Sequence, residues 1–224
     1  YSDQRKIMKP LKINNNRIFL HYNDLPGDII TGDIVAIDTE TTGLSLHRDR
    51  LCLIQLCFEN KDCHIVKLSQ NLKNNESQPK NLSKILLDDQ IEKIFHFARF
   101  DVGFIKKNLK INCRNIFCTK ISSRLVRTYT DRHGLKDLIK DLLDIDISKN
   151  QQSTDWATKE LTNNQIVYAA KDVFYLQELR NKLIIMLKRE GRLDLAKSIF
   201  GFLDVRTDLD ILGWQSEDIY SHSI

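Results

Sequence analysis

Apolar residues fall in short unbroken runs in the first half of the chain and at helical spacing in the second. Runs at 34–38, 51–58, 63–66, 93–96 and 115–118 have strand length and are rich in Ile, Leu, Val, Phe and Cys, the pattern of strands buried on both faces. Helical periodicity predicts helices near 81–88, 98–108, 118–127, 134–143, 153–159, 162–189 and 191–203. Strands alternating with helices give an α/β protein, and periodicity alone goes no further. The stretch 71–81 is polar, Asn-rich and carries Pro79, which predicts a surface loop tolerant of shortening. We divide the chain into an N-terminal extension at 1–16, one domain at 17–213 and a C-terminal tail at 214–224. A chain of 224 residues accommodates one catalytic-sized domain with a substantial core and leaves no room for a sizeable helical domain beside it.

The polar residues that break this pattern are acids. Asp38 and Glu40 end the run Ile34-Val35-Ala36-Ile37, and positions two apart on a strand point to one face. Tyr168 and Asp172 are four apart in a helical stretch, so phenol and carboxylate are neighbours on one helix face. Asp101 closes the segment His96-Phe97-Ala98-Arg99-Phe100-Asp101. Taken singly, each acid reads as a cap or turn former, and Tyr168 as a core residue with a satisfied hydroxyl. Taken together, four carboxylates that converge have a specific use, which is to hold two divalent metal ions around a phosphodiester. Hard Mg2+ or Mn2+ suits an all-oxygen donor set, and zinc suits it less well.

These segments resemble the DEDD superfamily of 3′-5′ exonucleases, in the tyrosine-bearing branch that includes ribonuclease D. Asp38 to Leu44 is similar to the first exonuclease motif, the segment around Asp101 to the second, and Tyr168 to Asp172 to the third. The likeness continues through Leu51 to Leu56, Phe117 to Leu125 and His133 to Leu138, and spans roughly 17–222. Within the branch, His47 to Cys52, Phe95 to Asp101, Arg124 to Leu135 and Gln151 to Trp156 most resemble the short single-domain nanoRNase C type. The resemblance implies a ribonuclease H-like fold, a mixed five-stranded sheet flanked by helices, and two divalent metals held by Asp38, Glu40, Asp101 and Asp172. Asp38, Glu40 and Asp172 then hold the metal nearer the attacking water, Asp38 and Asp101 contribute to the one nearer the leaving oxygen, and Tyr168 orients the water. Phe97 departs from the wider superfamily, in which many members carry Asn after the His.

Substrate contacts are expected from Thr39, Thr41, Thr42, Gly43, Leu44 and His96. By resemblance Leu44 wedges between the last two bases, with core packing as the alternative. The small Gly43 lets backbone and hydroxyl groups approach the terminal ribose. Arg124, Arg127, Arg132, His133 and Lys136 form the densest basic stretch and suit phosphate recognition, though a solvated face or an intersubunit surface explains them equally well. Gln151, Gln152, Ser153 and Trp156 are further candidates just before the third motif. The activity implied is hydrolysis of very short single-stranded RNA, dinucleotides above all, to nucleoside monophosphates. General trimming of longer RNA or DNA is the enzymatic alternative, and a nucleic-acid-binding scaffold the non-enzymatic one. Tyr168 stands where proofreading exonucleases usually have His, which argues against that role.

A net charge of +4 with a pI near 8.7 is only mildly basic, short of the surplus expected of a nonspecific duplex binder. A dinucleotide has few phosphates, so counterion release contributes little and local pockets must carry affinity. The five cysteines, Cys52, Cys57, Cys63, Cys113 and Cys118, lack metal-ligand spacing and read as reduced core residues. No run is long and apolar enough for a membrane span, and no signal-peptide core opens the chain. These features indicate a cytoplasmic protein without membrane partners. NanoRNase C proteins assemble as octameric rings, which implies a homo-oligomer here and gives the tail at 214–224 a place at a subunit interface.

Overall fold

Strands take up the apolar runs and stack into one seven-stranded mixed sheet, seen in a computed structural model that describes residues 10–13, 16–29, 32–69, 78–147 and 155–222. The strands are β1 (Leu11–Ile13), β2 (Asn16–Tyr22), β3 (Ile34–Thr41), β4 (Leu51–Phe58), β5 (Asp62–Lys67), β6 (Glu92–Phe95) and β7 (Ile116–Cys118), in the order β1-β2-β5-β4-β3-β6-β7. β3, β4 and β5 pair antiparallel, while β6 and β7 join β3 in parallel. Every residue of β4 and β5 is buried, so the core lies on both faces of the sheet centre.

The sheet has two strands more than the five expected. β1 falls within 1–16 and pairs with β2, which runs parallel to β5 and is tied to it by Arg17 donating to Asp62 at 2.7 Å. Only Ile18 of β2 is fully buried, and polar Arg17 and His21 interrupt any apolar run. A half-exposed strand next to the sheet edge lacks the continuous hydrophobic signature of the central ones.

The helices are α1 (Lys80–Leu87), α2 (Ala98–Leu109), α3 (Thr119–Val126), α4 (Leu135–Leu143), α5 (Asn163–Phe174), α6 (Leu176–Arg189) and α7 (Leu193–Leu212). Three expectations need correction. The described part of 153–159, from Asp155 onward, forms turns instead of a helix. The helix expected at 162–189 is two, divided at Tyr175 with no Pro or Gly to mark the break. α7 extends past 203 to Leu212, where Gly213 caps it at φ 116°, a conformation that glycine adopts without a Cβ penalty. Most of the expected loop at 71–81 lies outside the described residues, and its last two residues, Lys80 and Asn81, open α1.

Candidate active site

β3 carries Asp38 and Glu40 to one face of the sheet, and the pairing with β4 slips between Glu40 and Thr41, a bulge that re-aims the strand end. α5 crosses that face. Its start is fixed by a capping box in which the Thr162 hydroxyl accepts from Gln165 N at 3.2 Å and Thr162 N donates to Gln165 Oε1 at 2.9 Å. Three turns on, it delivers Asp172, and ligand oxygens of Asp38, Glu40 and Asp172 all lie within 4.8 Å of one another. The spacing rules for strand and helix thus hold within each pair and also bring the two pairs together.

Asp101 arrives from the first turn of α2, where the helix dipole favours a carboxylate. It stands outside the three-acid cluster. Thr39, turned by strand alternation away from Asp38, donates its hydroxyl to Asp101 Oδ1 at 2.6 Å. α2 opens on Phe97, which is held in the left-handed region at φ 69° with its ring beneath Lys120 Nζ at 4.3 Å. That contact occupies the position where a polar side chain was expected in the wider superfamily.

Among the described residues no Lys or Arg pairs with any of these four acids. At an effective dielectric of about 20, two full charges at such a separation repel by roughly 3 kcal/mol. Burial, then repulsion from Asp101, Asp172 and Glu40, holds the Asp38 carboxyl well above the usual carboxylate range. Burial and the charges of Asp172 and Asp101 push Glu40 up to about 8, and burial raises Asp101 and Asp172 each to about 7. An all-oxygen, convergent and uncompensated donor set fits hard divalent cations, which supply the missing positive charge.

Tyr168 lies one turn before Asp172, and its ring packs against Trp156 with centroids 6.0 Å apart. Burial and the charges of Asp172, Glu40 and Asp38 raise its pKa, so its hydroxyl is a hydrogen-bond donor at neutral pH. Trp156 is buried, and its carbonyl accepts from Lys67 Nζ at 3.3 Å. Sequence reasoning passed over Lys67, whose only signal was its place at the end of a strand.

The loop after β3 is a built structure. Thr41 Oγ1 donates to the Gly43 carbonyl at 2.6 Å, and Thr42 Oγ1 accepts from Arg50 N at 3.0 Å. Asp49 turns back into this loop and accepts from Ser45 N at 2.9 Å, and a Cβ on Gly43 would lie 2.4 Å from its Oδ2. Gly43 is therefore fixed by Asp49, a residue not among the sequence-predicted site residues. Leu44 is 79% exposed, which removes core packing as its explanation. His96 bonds Thr119 through Nδ1 at 2.9 Å, and burial followed by Lys120 holds it neutral, with its pKa down at about 3.

The basic stretch divides. Arg127 is 1% exposed and donates to the Arg132 carbonyl at 2.8 Å and to Asp141. As a correction, it is committed to an internal ion pair and is not a free phosphate ligand. Arg132 pairs with Asp137 at 2.8 Å. His133 bonds Ser123 through Nδ1 at 2.8 Å, while Arg124 is exposed and Lys136 half-buried. No hydrogen bond or ion pair joins this group to the acids among the described residues. Gln151, Gln152 and Ser153 lie outside the described residues.

A family model described as 3′-5′ exonuclease matches residues 23–188. Among curated proteins, ribonuclease D of Gluconacetobacter diazotrophicus is 30% identical over 164 residues, which cover 73% of this chain and 40% of that protein. Among solved structures, Brucella melitensis NrnC with bound Mg2+ matches with a TM-score of 0.85 and 45% identity, covering 92% of this chain and 99% of that one. The same nuclease bound to pGG matches with a TM-score of 0.86 and 45% identity, over 92% of this chain and 98% of that one. Escherichia coli RNase D shares the fold at a TM-score of 0.67 and 23% identity, over 78% of this chain and 45% of that one. The family match covers the strand that bears Asp38 and Glu40 as well as the helices that bear Asp101 and Asp172, and the chain belongs to the 3′-5′ exonuclease family, with its ribonuclease H-like fold.

Proposed function

We propose that this chain is a metal-dependent 3′-5′ exoribonuclease that hydrolyses very short RNA, dinucleotides above all, to nucleoside monophosphates. The carrying observation is the uncompensated cluster of Asp38, Glu40 and Asp172, with Asp101 beside it. Its likeness along nearly the whole length of a nuclease solved with pGG supports the substrate length. Two divalent cations of the Mg2+ or Mn2+ type, when bound, supply the activated water and the relief of charge on the phosphate and leaving oxygen.

The chain's own residues do the rest. Asp38, Glu40, Asp101 and Asp172 provide the oxygens that hold the cations. Tyr168, a neutral phenol beside Asp172, donates a hydrogen bond that orients the attacking water. Its raised pKa argues against a tyrosinate acting as base. Exposed Leu44 presents an apolar surface for a base at the 3′ end, and Thr41, Thr42, Gly43 and His96 surround the terminal nucleotide, while buried Thr39 holds Asp101 instead of meeting substrate. Arg124, His133 and Lys136 contact phosphates farther along, and Trp156 backs Tyr168.

All five cysteines are free and buried, and no helix of the described residues is long and apolar enough to cross a membrane. Both support our placing the protein in the reducing cytoplasm. Self-association, in an octameric ring by resemblance, belongs to the same proposal; sedimentation with and without residues 214–224 tests it.

The decisive experiment is hydrolysis of 5′-labelled dinucleotides, tetranucleotides and longer RNAs by limiting enzyme with Mg2+ or Mn2+, with Asp172→Ala as control. Preferential cleavage of the dimer is expected. Equal rates across lengths would replace the dinucleotidase by a general trimming exonuclease, and absence of metal-dependent cleavage would leave a scaffold.

A further inference from the structure

Gln55 stands on β4 directly opposite Asp38 on β3. Paired residues of antiparallel strands send their side chains to the same face, with Cβ atoms about 4.5–5.5 Å apart. Gln55 therefore shares the face that carries Asp38 and that α5 covers as it brings Asp172. Every other residue of β4 is apolar. Gln55 itself is 0% exposed, yet neither its Nε2 nor its Oε1 has a hydrogen-bond partner.

Buried side-chain amides are overwhelmingly paired, and an orphaned one calls for a reason. Packing supplies none, because Met or Leu would fill the position without the desolvation cost. β5 offers Ile65 on the other flank, so the polar neighbour across the strands is Asp38. An amide both donates and accepts, whereas an ionised carboxylate only accepts. Gln55 can thus serve water that the acids cannot serve alone.

We infer that Gln55 is a positioning residue for the acid cluster, its amide hydrogen-bonding water that accompanies a divalent cation held by Asp38, Glu40 and Asp172. The inference rests on the cation-binding part of the function proposed above. Gln55 acts through Asp38 and the water, and touches neither substrate nor the reacting atoms. Partners of this outer kind typically change metal affinity by about 10–100-fold when removed.

Two measurements test it. In 15N-labelled wild type, the Gln55 Nε2 resonances, identified by their absence from Gln55→Met, should move and exchange more slowly with solvent as Mg2+ is added. Gln55→Met should bind Mn2+, followed by electron paramagnetic resonance, about 10–100-fold more weakly, while its metal-free melting temperature equals or exceeds that of the wild type. A Gln55 amide unmoved at saturating Mg2+, or equal Mn2+ affinities in the two proteins, overturns the inference. Should Gln55→Met fail to fold, the Gln55 signals are assigned from backbone connectivity and the wild-type titration decides alone. Failure of the wild type to bind either ion overturns the cation reading itself and this inference with it.

Discussion

Replacing Asp172 by Asn should stabilise the metal-free protein while abolishing its activity. Asp172 faces two acids, Asp38 and Glu40, with ligand oxygens within 4.8 Å. Each pair of full charges repels by roughly 3 kcal/mol at an effective dielectric of about 20. The cluster relieves part of this by holding protons, since burial and repulsion raise Glu40 to about 8 and burial raises Asp172 to about 7. The expected net gain is therefore about 1–3 kcal/mol, or a melting temperature higher by about 2–10 °C for a chain of this size. Asn keeps the shape and an acceptor oxygen, so packing changes little. Thermal denaturation in EDTA and again in Mg2+ provides the assay. Wild type should gain about 2.7 kcal/mol at a hundredfold excess over the dissociation constant, the variant much less, and the order of the two should close or reverse. A melting temperature in EDTA no higher than wild type, or an equal response to Mg2+, would refute the argument that these acids are held together against their repulsion for a cation.

Tyr168→Phe removes only a hydroxyl from a ring packed on Trp156, and should lower turnover about 10–100-fold, below the roughly 100–10,000-fold of a group that itself transfers the proton, with the melting temperature unchanged. Leu44→Ala deletes a side chain that is 79% exposed; KM for a dinucleotide should rise about 5-fold, from loss of roughly 1 kcal/mol of contact with a base, the low end of the range for aromatic stacking, and an unchanged KM would take Leu44 out of the substrate site. Gly43→Ala places a Cβ 2.4 Å from Asp49 Oδ2, so urea unfolding should show a loss of about 1–3 kcal/mol that Asp49→Ala partly repairs. Two opposed pH effects are expected: the metal-free acids, held above their unfolded values, add stability as pH falls, whereas His64 removes it. His64, beside His21, Asp62 and Arg17, is pushed down to about 4 by burial and then by His21, below the ordinary 6.5. The unfolded chain therefore binds the extra proton between those values. The stabilisation is complete above about 6.5 and lost toward 4, a cost of about 2 kcal/mol at pH 5. On going from pH 7 to 5, wild type should change in unfolding free energy less favourably than His64→Gln by about 2 kcal/mol in urea titrations, and an equal change in the two proteins would reject this origin.

Much of the site was legible because its geometry is local before it is global. Asp38 and Glu40 needed only strand alternation, and Tyr168 and Asp172 only the helical turn. Central strands announce themselves by unbroken apolar runs, as in Leu51–Phe58, where only Gln55 is polar. β1 and β2 do not, because every residue of theirs but Ile18 meets solvent at least in part, and Arg17 and His21 read as polar interruptions. Asp49 lies in the stretch His47 to Cys52 that carries the resemblance, but its role was hidden for a different reason, since it lies in a close approach to Gly43 that only the folded loop creates. Arg127 misled for a third. A dense basic stretch looks like a phosphate surface whether or not one member folds inward to Asp141.

α7 shows most plainly where periodicity stops and tertiary chemistry takes over. Up to Leu203 its buried positions are Ala196, Phe200 and Leu203, but the next are Thr207 and Asp210. The buried apolar stripe ends there, and with it the expected helix, although Val205, Leu209 and Leu212 keep helical spacing on a more exposed face. The helix continues because α2 binds it through charge. Arg99 grips Asp210 with two bonds of 2.7 Å, Arg206 adds a third of 2.7 Å, and Lys106 reaches Asp204 at 2.9 Å and Asp208 at 2.6 Å. Asp210 is 1% exposed, so removing either arginine leaves a buried charge short of compensation. Arg99 also donates to the Gln215 carbonyl at 2.7 Å, which ties the tail to the same post. Two residues beyond Arg99 is Asp101. The helix that presents this acid to Thr39 is thus held in place by ion pairs from the far end of the chain, and no reading of apolar spacing could have assigned the polar end of α7 that task.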